Sequence, residues 1–271
     1  MMKFLKKSGF KTFIILGLTI SIFSCKSEFE QIRTSGDSEM IYEKALEYYE
    51  KEDYSKANTL MELILSTYRG SAQGEELYFK YAYSSYYQGL YITSANLFET
   101  FSSTFPSSTL REEADFMMAY SYYLLSPSYR LDQDYSNKSI DAFQLFVNTF
   151  PSSDRVEQAN KLIDDLRKKL EEKRFAEAKL YQDLLKYEAA IQVFENLLKD
   201  FPETKNAEEI RYMIVDASYQ LAVNSVYEKQ KERYLKTNTY ADAFLKRYPN
   251  SDHQKKVIQY RDFSIQKINE L

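Results

Sequence analysis

With a single cysteine, the chain can form no internal disulfide, and its single histidine leaves little to ligate a metal ion. Six glycines and five prolines in 271 residues are too few for the tight turns of an all-β fold. The glycines stand apart, at positions 9, 17, 36, 70, 74 and 89, so none belongs to a phosphate-cradling loop. No apolar run reaches the roughly 20 residues that cross a hydrocarbon core. Positive charge is also short. Beyond residue 24, 32 basic side chains face 40 acidic ones, a balance that repels nucleic acid and excludes it as a partner.

What the chain does have is 44% hydrophobic residues, enough for a sizeable core, and aromatics in excess: 25 Tyr and 18 Phe. It also has an address. Lys3, Lys6, Lys7 and Lys11 precede an apolar run from Phe13 to Phe23, and Ser24 and Cys25 follow. A basic start, a run of about 11 apolar residues and a small residue before a cut describe a secretory signal over 1–24. The lone cysteine after Ile-Phe-Ser resembles a lipobox, in which the thiol is acylated and the chain is cut just before it. Two alternatives remain: an uncleaved amphipathic anchor, or an ordinary signal with an incidental cysteine. Residues 25–37 then read as a lipidated polar tether.

The remainder repeats. Phe79-Lys-Tyr-Ala-Tyr-Ser-Ser-Tyr-Tyr87 parallels Phe116-Met-Met-Ala-Tyr-Ser-Tyr-Tyr-Leu124, and Ala45, Ala82 and Ala119 are spaced by 37 residues. Each unit closes on Phe105-Pro-Ser-Ser, Phe150-Pro-Ser-Ser, Phe201-Pro-Glu-Thr or Tyr248-Pro-Asn-Ser, and Tyr68-Arg-Gly-Ser is a degenerate first copy. Seven residues before each aromatic stand Met61, Phe98, Phe143, Phe194 and Ala241; four before stand Ile64, Phe101, Phe146, Leu197 and Phe244. That spacing is one face of a helix. The proline ends the helix, and the Ser/Thr two residues on caps the next by accepting from a free backbone N–H. Small residues (Ala45, Ala82, Ala119 and Ala178 in first helices, Ala57 and Ala190 in second ones) let paired helices approach closely.

A helix–turn–helix unit of about 34 residues with alanines so placed resembles the tetratricopeptide repeat. The expected fold is all-α: a tetratricopeptide-repeat solenoid of about five helical hairpins plus a C-terminal helix. The hairpins fall at 38–71, 72–108, 109–153, 173–204 and 206–251, and the final helix at 252–270. Ser126–Asn137 is expected as an inserted loop, and Asp154–Lys173 as a charged helix running into the fourth unit.

Chemistry is hard to find. His253 has no second histidine or cysteine near it and reads as a surface or cap residue. Carboxylate pairs such as Glu75/Glu76, Glu112/Glu113 and Asp164/Asp165 lie in polar helix turns, where a solvated face explains them better than a glycosidase-like dyad. No catalytic residue, metal or cofactor is expected, which leaves a surface. If the alanines face the partner helix, Tyr42, Leu46 and Tyr49, then Phe79, Tyr83 and Tyr86, then Phe116, Tyr120 and Tyr123 point to a concave groove. Such a groove would clamp a peptide, since tyrosine gives contact area at low entropy cost. The alternative is that these rings are inter-repeat core.

The lipobox, the five units and the recurrent aromatic–proline stop together resemble the BamD family of outer-membrane assembly lipoproteins, over about 35–271. The resemblance implies a non-enzymatic subunit of the β-barrel assembly machine, lipid-anchored at Cys25 on the periplasmic face of the outer membrane. It implies that N-terminal repeats (38–153) receive unfolded outer-membrane proteins and that C-terminal repeats (154–271) dock a BamA-like barrel subunit. A different repeat lipoprotein, acting as a pilotin or a cell-envelope coordination scaffold, is the alternative.

Overall fold

The computed structural model describes residues 27–271, so the signal segment 1–24 and Cys25 lie outside it. Among the described residues there are twelve helices and no strand. Within each unit, most helices that follow one another in sequence pack as neighbours, so the all-α hairpin architecture is as expected. The chain forms two compact units, one reaching to Ser121 and the other starting at Tyr122.

The first unit begins earlier than the hairpins do. Within the stretch read as a polar tether, residues Glu28–Arg33 form a short helix, α1. Its Ser27 Oγ accepts from the Glu30 N–H, and Ile32 is buried in the same cluster as Ile41 and Ala45, with Phe29 packed alongside. The tether is thus shorter than expected, because two apolar side chains three residues apart have a core to enter. Hairpins α2 (Ser38–Glu50)/α3 (Tyr54–Ile64) and α4 (Ala72–Tyr87)/α5 (Tyr91–Thr104) follow, then α6 (Arg111–Leu125), most of which lies in this unit. Asp37 caps α2 by accepting from two backbone N–H groups. Each hairpin turns through a residue of positive φ, Glu52 at 59° and Gly89 at 73°. The next N–H reaches back to a carbonyl five residues before it, from Asp53 to Tyr48 and from Leu90 to Ser85.

The second unit holds α7 (Asp134–Thr149), α8 (Val156–Asp183), α9 (Tyr187–Asp200), α10 (Ala207–Val223), α11 (Tyr227–Arg247) and α12 (Gln254–Glu270). The charged segment and the first helix of the fourth repeat are one helix, as expected, since nothing from Val156 to Asp183 breaks it. The inserted loop is shorter than read: Asp134–Asn137 are the first turn of α7. Gln133, buried in the loop, donates to the Ser128 and Leu131 carbonyls, and Lys173 on α8 donates to Leu131 O at 2.8 Å. Lys169 on α8 donates to Ser126 Oγ at 2.7 Å, and burial lowers its pKa. The long helix is therefore the platform that holds the long loop.

The helical face counted back from each closing aromatic is the core. Met61, Phe98, Phe143, Phe194 and Ala241 are fully buried, and Ile64, Phe101, Phe146, Leu197 and Phe244 are at most 2% exposed. The six alanines expected at helix crossings have no exposure at all. The four proline-bearing stops share one conformation. Phe105, Phe150, Phe201 and Tyr248 lie at φ −122°, −123°, −129° and −127° with ψ of 63°, 60°, 68° and 68°, outside the α region that a following proline disfavours. Each donates its N–H to the carbonyl four residues back. Ser108, Ser153, Thr204 and Ser251 then accept from the N–H two residues on, which turns the chain into the next helix. Where Arg69 replaces proline, α3 stops at Ile64 and Ser71 caps α4 from the Gly74 N–H.

Candidate peptide-binding surface

In the first unit the tyrosines do not stand singly. The Tyr49 ring meets Tyr54 at 5.6 Å, and Tyr54 stacks on Tyr87 at 4.6 Å. Tyr87 stacks on Tyr83 at 5.7 Å and meets Tyr86 edge-on at 5.5 Å. Tyr86 touches Tyr91 at 5.7 Å and Tyr120 at 6.4 Å. A chain of rings thus crosses α2 to α6. Beneath it lie Phe79, Phe98 and Phe101: Phe79 is 6.0 Å from Phe98 and 5.3 Å from Phe101, and Tyr83 is 5.1 Å from Phe98. Edge-to-face and offset pairs of this kind are worth about 0.5–1.5 kcal/mol each beyond area burial. The ribbon is therefore a stiff, pre-organised surface.

The residues expected in the groove divide into two groups. Tyr49, Phe79, Tyr83, Tyr86 and Tyr120 are half-buried and belong to the ribbon or its base. Tyr42 and Phe116, at 8% and 1% exposure, are core. The Tyr42 hydroxyl donates to Glu76 at 3.0 Å, and burial together with that bond pushes its pKa up to about 12. Both stand three residues before a buried alanine (Ala45 and Ala119), and residues at i and i+3 share a helix face. Tyr123 is half-buried and belongs to the second unit.

Sequence reasoning missed Tyr54, Tyr87 and Tyr91. Tyr87 is the most open ring, at 51% exposure, with Leu90 and Ile92 exposed close by at 48% and 49%. A signal was present: Tyr54 and Tyr91 each open a second helix, 37 residues apart. Charge frames the ribbon. Lys80 lies 4.6 Å over the Tyr49 ring and pairs with Glu50 at 2.8 Å, and the Tyr83 hydroxyl donates to Glu113. Burial raises the pKa of Tyr49 and Tyr86.

His253 is more firmly placed than a surface residue. Its ring stacks on Tyr212 with centroids 3.9 Å apart, and Nε2 lies 2.9 Å from Glu209, which joins the start of α12 to α10. Among the described residues, no group of three His, Cys, Asp or Glu side chains is arranged to hold a metal ion, and no helix is long and apolar enough to cross a membrane.

A stiff aromatic surface on an all-α hairpin scaffold suits protein recognition, and sequence comparison places it in a cellular setting. The model of the family described as YfiO, outer membrane lipoprotein, matches residues 34–233. The chain belongs to the YfiO family. No curated protein matches it. The matched span runs from just before α2 into α11, so it takes in the aromatic ribbon and the first four closing turns, the degenerate copy included. Membership agrees with the BamD-like resemblance and supports an outer-membrane location.

Proposed function

We propose that this YfiO-family lipoprotein is a non-enzymatic subunit of the outer-membrane β-barrel assembly complex. In this reading, its first unit takes up apolar, aromatic-rich segments of unfolded barrel proteins. Residues 154–271 dock a BamA-like barrel subunit, and acylation of Cys25 holds the protein on the periplasmic face. The observation that carries the reading is the ring chain Tyr49–Tyr54–Tyr87–Tyr83–Tyr86–Tyr120. An unfolded barrel strand presents alternate apolar and aromatic side chains, and a sheet of tyrosine faces with hydroxyls at the rim receives such rings with little loss of side-chain entropy. The acidic balance of the chain favours neutral or basic client segments.

Recovery from membranes solubilised in mild detergent tests the proposal. The native lipoprotein is expected to bring down the barrel subunit in near-stoichiometric amount. Its recovery without that subunit, under conditions that preserve other membrane complexes, would contradict the assembly role.

A further inference from the structure

The second unit contains a cavity of about 660 Å³ between α9, α10 and α11, well apart in sequence from the aromatic ribbon. Leu198, Ile214 and Phe244 form its apolar floor, and Arg211, Lys246 and Arg247 stand around it. Its one carboxylate, Glu195, is taken up by the Tyr240 hydroxyl at 2.7 Å. Among the described residues, none of the three cations has a carboxylate within 4.0 Å, and Arg211 makes only a bond to the Ala207 carbonyl of its own helix. The last turn of α11 favours Lys246 and Arg247 through the helix dipole, but Arg211 sits in the second turn of α10, where the dipole disfavours a cation. Most cations among the described residues also lack an acidic partner, but these three are gathered around one apolar hollow, where a carboxylate from outside can pair with them.

We propose that this pocket is a docking site for a segment of a partner protein that inserts one large apolar side chain and sets a neighbouring carboxylate among Arg211, Lys246 and Arg247. The volume suits one such side chain with its flanking backbone and is too small for a whole helix. Apolar contact with the floor supplies affinity, and the unpaired cations supply selectivity and a faster encounter. The inference names the chemistry of one docking point within 154–271 and rests on the docking role proposed above for that segment.

The probe is a fluorescein-labelled, C-terminally amidated peptide, Gly-Ser-Glu-Phe-Asp-Ser-Gly, titrated by anisotropy against the full lipoprotein in phosphatidylcholine nanodiscs. Saturable binding is expected. Its Kd should rise about tenfold or more in the triple variant Arg211→Gln/Lys246→Gln/Arg247→Gln and with the Gln/Asn version of the peptide, and less in Arg211→Lys. Lys246 and Arg247 are exposed and Arg211 is half-buried with one bond to its own helix, so the triple variant should stay folded with a melting curve close to that of the wild type. Equal binding of the acidic and neutral peptides, or no effect of the triple change, would overturn the proposal. So would loss of phosphatidylglycerol-vesicle binding in the triple variant without any peptide binding, since that would make the ligand a lipid headgroup. Recovery of the barrel subunit is scored separately, so failure of this site and failure of the assembly role are told apart.

Discussion

Phe98→Ala is expected to destabilise the first unit by about 3–5 kcal/mol, the range for emptying a phenylalanine site in a packed core. Phe98 is fully buried, lies within 6.0 Å of the Phe79 ring and 5.1 Å of the Tyr83 ring, and sits on the face that every second helix turns inward. Leu63→Ala, on the same hairpin array but 48% exposed, should cost only a few tenths of a kcal/mol. Urea unfolding followed by circular dichroism measures both. A cost for Phe98→Ala no greater than for Leu63→Ala would mean that the aromatic face is not the core of the repeat.

Cys25→Ser, exported behind an ordinary cleavable secretory signal, is expected to move nearly all of the protein from the membrane pellet to the soluble fraction, still folded. The described residues contain no helix able to cross a bilayer, and an acidic surface gains nothing from anionic lipid. In the proposed reading, acyl chains on Cys25 carry the attachment. Fractionation followed by a far-ultraviolet spectrum checks both halves of the statement. Retention of the serine variant in the pellet after a salt and carbonate wash would assign the anchor to something other than the thiol.

Much of this fold was legible because one punctuation mark recurs. The aromatic–proline–x–hydroxyl stop fixes φ before the proline and supplies an acceptor after it. Four copies of it, read with the residues four and seven positions earlier, located the hairpins and their buried face. What escaped had other causes. Helix α1 has only Phe29 and Ile32 to betray it, too few for a period. The clamp of His253 on Glu209 and Tyr212 joins residues more than 40 positions apart, and no local pattern encodes it. Tyr42 and Phe116 were assigned to the groove although they share a helix face with Ala45 and Ala119. The ribbon's most open ring, Tyr87, follows Tyr83 by one helical turn and was passed over because the groove was counted from the alanines alone.

That ring offers a cleaner test than Tyr83 and Tyr86. Both of these are packed against other rings of the first unit, Tyr83 on Phe98 itself, so truncating them would lower stability and binding together. The decisive measurement is the affinity of the Tyr87→Ala lipoprotein for a peptide copied from the last strand of an unfolded barrel protein, with its melting temperature recorded alongside. An aromatic surface that receives clients predicts a loss of about tenfold in affinity, the scale of one tyrosine hot spot, in a protein that stays folded with its melting point lowered by the lost contacts to Tyr54, Tyr83 and Tyr86 alone. Unchanged affinity in the folded variant would show that clients do not engage the ribbon, and the central claim would fall.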